Sequence, residues 1–301
     1  MASIELTECI ESVRQLIANN IRERVVGPDS ATKAQDLMSA PGPRWFTPDR
    51  PIYRVHGDAS MFIGGLRAVL FQSLHPLAMA GVAIHSDYKA DPWGRLQRTA
   101  DFLAATSFGT AEVAQAAVNR VLAVHERVTG VASDGRAYSA NDPHLLLWVH
   151  VAEVDSFLSA YQRYGVTTLD QKDRDGYVAD MSVIASALGV PNPPTTEAEL
   201  RKQLAEFRSE LKSTKEARDA ARYLIIQPPL EFPARAAYSL IAAAAVSLLP
   251  AWSRFPLRLP YLPLTEHVVA QPLGDVITRT FRWAIDGDLT APTTASKRAC
   301  A

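Results

Sequence analysis

The chain has 301 residues, with 31 Lys and Arg against 32 Asp and Glu, a net charge of −1. That balance excludes the basic surface a nucleic-acid partner requires, while 48% hydrophobic residues are enough for a sizeable core. Two cysteines, Cys9 and Cys300, exclude a disulfide framework, a paired-Cys zinc site and an internal thiolate ligand, and fit a reducing, cytoplasmic setting.

Helical periodicity dominates and strand-like alternation is scarce. A first helix is expected over residues 5–26, which lack the basic start and apolar run of a signal peptide. Residues 27–52 are rich in Pro, Gly and Asp and read as an irregular arm. "MFIGGLRAVLFQSLHP" reads as an apolar helix stopped at Pro76. Asp91-Pro92 opens the next one: the carboxylate accepts from orphan amides, and proline at the first turn forfeits no hydrogen bond. Thr110 caps the helix that carries His125, and Gly130 is placed to end it. Asp142-Pro143 opens the long helix "HLLLWVHVAEVDSFLSAYQRYG".

A helix over about 173–188 ends at Gly189. Thr196 and Glu199 form a capping box for the most charged helix, 197–225, whose charges read as a solvated face. The Ala-rich helix from about 236 to 249 reaches the lower limit of a membrane span. It is only modestly apolar and is broken by Pro250, so it reads as a buried core helix, with peripheral membrane contact as the alternative. A proline-spaced segment, a short helix near 273–285 and a frayed tail over 286–301 complete the chain. No repeat and no linker is visible. The expectation is one all-α domain of about eight to twelve helices.

The chain has no dinucleotide or phosphate-binding glycine loop and no Gly-x-Ser-x-Gly elbow. His150 and Glu153 make a single His-x-x-Glu, short of the two Glu-x-x-His pairs of a helical di-iron site. Seven histidines remain, at 56, 75, 85, 125, 144, 150 and 267. Taken singly, each is more often a structural residue whose ring bonds a nearby carbonyl. His125 shares an apolar helix face with Val118, Val121 and Val128. It can be a satisfied core residue, a general base or a metal ligand. Arg95, Arg98 and Thr99 fall at i, i+3 and i+4, on one helix face. With Leu96, Phe102 and Leu103 beside them, that face is expected to border the core, where two cations require an anionic partner such as the propionates of a haem.

Four blocks now stand in order: "GGLRAVLFQSLHPLAMAGVAIHSDY", "DPWGRLQRTADFLAATSFGT", "VNRVLAVHERVTG" and "YSANDPHLLLWVHVAEVDSFLSAYQRYG". Together they resemble a family of b-type haem oxygenases, which includes the mycophenolic-acid pathway oxygenase B and the catalytic domain of the latex-clearing rubber oxygenase. The likeness runs from about residue 55 to 190, with a weaker echo to about 260. It implies an all-α fold with a globin-like core around haem b, and oxidative C=C cleavage of an isoprenoid or lipid-like substrate with dioxygen.

Residue by residue, the resemblance makes His125 the proximal iron ligand. It sets Arg95, Arg98 and Thr99 on the rubber oxygenase's Arg-x-x-Lys-Thr, as catalytic and cofactor-binding residues. Arg98 stands where that motif has lysine, and arginine has no lone pair to offer a metal. No lysine-type distal ligand is therefore expected, and Arg98 can donate to oxygen or to a propionate. The second ring nitrogen of His125 is expected to donate to a carbonyl near residue 121 or to a carboxylate. His150, between Trp148 and Val151 on a buried helix, is a further cofactor-binding candidate, ahead of His75 and His85. The alternatives are a non-catalytic haem- or lipid-binding all-α protein and a peroxidase-like haem enzyme.

Overall fold

The computed structural model describes residues 11–12, 14–19, 30–86, 88–232 and 234–289, and the chain is mostly helical. The all-α expectation holds. Residues 14–19 are helical; most of the helix expected over 5–26 lies outside the described residues. The 27–52 segment is not wholly irregular, because α1 (Ser30–Ser39) crosses it. Between Pro28 and Pro41 the chain has no glycine or proline, and its Ala, Lys, Gln, Leu and Met favour a helix. The tail expected from 286 is helical to Leu289; residues 290–301 lie outside the described residues.

α2 (Pro51–His56) begins with proline at its first position. α3 (Met61–Gln72) ends before Pro76, which instead starts α4 (Pro76–His85). α5 (Pro92–Phe108) and α6 (Ala111–His125) carry the expected caps, Asp91 accepting from Gly94 N–H and Thr110 from Val113 N–H. α6 stops at His125, five residues before Gly130. Gly130 instead belongs to β1 (Thr129–Val131), paired antiparallel with β2 (Ala137–Ser139), Gly130 opposite Tyr138. A Cβ at Gly130 would stand 2.6 Å from the Tyr138 hydroxyl, so glycine serves close approach here, not helix termination. The hairpin turns at Asp134-Gly135, with Gly135 at φ +85°.

α7 (Pro143–Tyr164) is the central helix. Leu145, Leu146, Trp148, Val151, Val154 and Phe157 are all buried, so beyond its first turn apolar residues surround the axis. It packs along α3, where Gly64 lets the backbones close: a Cβ there would meet Phe157 at 2.8 Å. α8 (Gln171–Ala187) follows. The charged stretch then divides into α9 (Glu197–Phe207) and α10 (Lys215–Ile226), not one helix. Thr214 caps the second by accepting from Ala217 N–H, and Lys212 N–H bonds Leu74 O at 2.8 Å, which draws the break onto the α3–α4 turn.

α11 (Ala234–Leu248) packs with Ile241, Ala244, Ala245 and Val246 buried, as expected of a core helix. α12 (Ala251–Arg254), α13 (Pro263–Thr265), a π-helical turn (Glu266–Ala270) and α14 (Gln271–Leu289) finish the fold. The buried Arg67 joins three of these helices. Its guanidinium donates to Ser156 Oγ at 2.6 Å, Asp155 Oδ2 at 2.6 Å and Leu248 O at 3.0 Å. No single described helix is long and apolar enough to cross a membrane; α3 and α4 together have the length and composition but meet at 107°. The last elements leave Phe255, Leu264 and Val268 exposed, with 89%, 83% and 69% of their surface accessible.

Candidate active site

Polar side chains gather inside the fold where α2, α5, α7 and α8 meet. His56 ends α2. Its Nδ1 lies 2.7 Å from Ser107 Oγ on α5 and its Nε2 3.1 Å from the Tyr177 hydroxyl on α8. A neutral imidazole has one donor and one acceptor, and two hydroxyls can serve both. Burial pushes the His56 pKa down to about 3, so the ring is uncharged at neutral pH.

His150 and Glu153 lie three residues apart on α7, on one helix face. His150 is buried, its Nε2 has no hydrogen-bond partner, and burial pushes its pKa down to about 4. Glu153 makes no hydrogen bond among the described residues, and burial pushes its carboxyl up to about 7. Burial, then the Glu153 charge, hold the Tyr177 hydroxyl well above the usual phenol range. His56 and Glu153 are half-buried. A carboxyl that titrates near neutrality, in a space lined by uncharged imidazoles, can both give and take a proton at physiological pH.

His125 is the last residue of α6 and is partly buried. Burial lowers its pKa, and Asn141 works in the opposite direction. The expected carbonyl or carboxylate partner is absent: Nδ1 is buried and makes no hydrogen bond of normal geometry, and the neighbouring side chain is the Asn141 amide. Asn141 is held in turn by its Nδ2, which donates to Leu122 O at 3.3 Å. With a proton on Nδ1, the ring presents its lone pair at Nε2, which no described group bonds.

The Arg95–Thr99 face is not turned to the core as expected. Arg98 is exposed and pairs with Asp91 Oδ2 at 3.1 Å, and Thr99 is exposed with its hydroxyl donating to Arg95 O at 3.1 Å. The N-cap carboxylate attracts the first side chain, and a backbone carbonyl one turn back satisfies the second. Arg95 alone is half-buried, and it donates to Ser86 Oγ. No hydrogen bond or ion pair among the described residues joins His125, His150 and this face. His85 bonds Thr129 O at 3.2 Å and the Tyr138 hydroxyl at 3.1 Å, fastening α4 to the hairpin. Two open surface depressions, one beside Arg279 and Arg282 and one beside Asn192 and Glu199, contain none of these groups.

A family model described as ER-bound oxygenase mpaB/B'/rubber oxygenase, catalytic domain, matches residues 53–284. The chain belongs to this oxygenase family. The match runs from within α2 to within α14 and so includes His56, Arg95, Arg98, Thr99, His125, His150, Glu153 and Tyr177. No curated protein and no solved structure is matched. Membership makes the domain an oxidoreductase that uses dioxygen and an organic substrate. His56, Ser107 and Tyr177 escape sequence reasoning because positions 51 and 121 residues apart meet only in the fold. Glu153 did leave a signal, as an acid set among Val151, Ala152 and Val154.

Proposed function

We propose that the chain is a haem b oxygenase that cleaves a carbon–carbon double bond of a hydrophobic, isoprenoid-like or lipid-like substrate. One dioxygen is consumed per double bond and its two atoms end in two carbonyl groups, so no external reductant is needed. The observation that supports this best is the state of His125: a partly buried imidazole at a helix end, inside the family match, with its Nε2 unbonded. Haem b, when bound, supplies the iron at which dioxygen is activated.

The residues fit that group. His125 would hold the iron through Nε2, with the Asn141 amide beside its Nδ1. Arg95, Arg98 and Thr99 stand at the start of α5, where cations at the protein surface can meet carboxylates of the cofactor that reach solvent. His150 on α7 is uncharged near pH 7, and Glu153 one turn on is a carboxyl that titrates there. His150 orients the substrate without a fixed charge, and Glu153 holds or releases a proton at its carboxyl. The globin-like character of the core belongs to this reading too. A lipid surface as the source of substrate suits the exposed Phe255, Leu264 and Val268 better than the buried α11.

The test is direct. Purified protein should give a pyridine haemochrome spectrum of haem b, and should take up oxygen in step with alkene loss and carbonyl formation. Haem without oxygen uptake on any unsaturated substrate would instead make the chain a haem or lipid carrier. Failure to bind haem at all would remove the proposal.

A further inference from the structure

His75, His144 and Glu210 come from three distant parts of the chain: the α3–α4 turn, the first turn of α7, and the break between α9 and α10. One ligand atom from each, a ring nitrogen or a carboxylate oxygen, lies within 4.8 Å of the other two. His144 Nε2 is 2.8 Å from Glu210 Oε2, and His75 Nε2 is 3.4 Å from the same oxygen. In a tetrahedral zinc site, bonds of about 2.0–2.1 Å set neighbouring ligand atoms about 3.3 Å apart. The three atoms already bracket that spacing.

The cluster is pre-formed on one side and open on the other. His75 is 1% exposed, and its ring is set against Trp148 and Phe207 at centroid distances of 6.2 and 6.4 Å. The Lys212–Leu74 backbone bond pins the segment that carries Glu210. The His144 and Glu210 side chains keep 52% and 37% of their surface, so water can complete a coordination shell. Arg136 is close enough to act on both His75 and Glu210, but its guanidinium is engaged by Asp134 at 2.7 and 2.9 Å. His150 is six residues past His144, about 240° round the helix at ~100° per residue. This cluster and His150 therefore lie on different sides of α7.

We infer that His75, His144 and Glu210 bind one divalent transition-metal ion of the zinc class, separate from the haem iron and serving as a clip between the three segments. Two imidazoles and one carboxylate suit zinc and its neighbours, not calcium or magnesium, which prefer all-oxygen sets. The clip shares no residue with the haem site and is independent of it.

The experiment uses the full chain without an affinity tag, stripped with a chelator and dialysed against Zn²⁺ alone, with bound zinc counted by elemental analysis. One zinc per chain is expected in the wild type and in His125→Ala, together with a thermal midpoint that rises with zinc concentration. His144→Ala and Glu210→Gln alter exposed side chains and should keep the helical circular dichroism while losing roughly tenfold or more in zinc affinity. Equal zinc binding by wild type and both variants would overturn the site, as would a wild type that takes up no zinc in excess metal. Loss of haem with zinc binding intact would count against the oxygenase reading alone.

Discussion

The Tyr177 hydroxyl stands 3.1 Å from His56 Nε2, and burial denies each group the water its charged form would need. Burial lowers the histidine and raises the phenol, so both remain neutral over the whole physiological range. The same desolvation acts on Glu153 and His150, and stability should record it.

Glu153 takes its proton at about 7 when folded and at 4.5 in the reference state. Its stabilising contribution is therefore complete below pH 4.5 and is lost as pH rises through about 7, a loss of ~3 kcal/mol. Glu153→Gln should be more stable than the wild type at pH 8 by up to that amount and nearly equal to it at pH 4.5. Urea midpoints at the two pH values measure this. Identical differences at both would show a carboxyl that ionises as it does in water.

His150 has the opposite sign. Its folded pKa is down at about 4 from 6.5, so its contribution is complete above pH 6.5 and disappears as pH falls towards 4. His150→Leu removes a ring whose Nε2 has no partner, and should flatten the acid arm of the stability profile by ~3 kcal/mol. An acid slope unchanged from wild type would place His150 in contact with water.

His125→Ala tests the axial ligand. The variant should fold, since His125 is only partly buried at a helix end, yet retain little haem and lose the wild-type Soret position. Asn141→Ala should keep the haem while shifting its reduction potential, because on the proposed reading the amide would orient the ring without itself holding the iron. Full haem content and an unaltered spectrum in His125→Ala would assign the iron elsewhere.

Arg98 and Asp91 form an exposed pair, so Arg98→Ala should change unfolding stability by less than about 1 kcal/mol. Its effect should appear in haem retention, measured as the rate of transfer to an apo-globin acceptor. Imidazole should bind the wild type without a slow opening step, because guanidinium cannot occupy a metal position, whereas Arg98→Lys should slow it. Equal transfer rates in wild type and Arg98→Ala would remove Arg98 from the cofactor's surroundings.

Local signals were well represented in the sequence. Asp91, Thr110, Asp142 and Thr196 each cap the helix expected of them, because an N-cap needs only a side chain and an amide two or three residues on. The hairpin at Asp134-Gly135 carried the usual turn dipeptide, but strands of three residues are too short for alternation to register. The break at 208–214 was hidden by helix-favouring residues; it follows from the tie between Lys212 and Leu74, a tertiary fact. Of the site, His125 and His150 were legible as types in blocks. The inward turn assigned to Arg98 and Thr99 was not realised, since apolar neighbours at 96 and 102 do not fix the facing of a whole turn.

Arg282 on α14 closes on Asp58, at 2.7 and 3.0 Å, and on the last carbonyl of α7, Tyr164 O. The two charged partners are 224 positions apart, and the Asp58 carboxylate keeps only 6% of its surface. A ribosome adding roughly 5–20 residues per second needs on the order of ten to forty-five seconds to travel that distance. Throughout that interval the nascent chain holds an acid destined for burial with no cation to meet it. The amino-terminal segment around Asp58 therefore lacks its native ion-pair partner until the last helix is made.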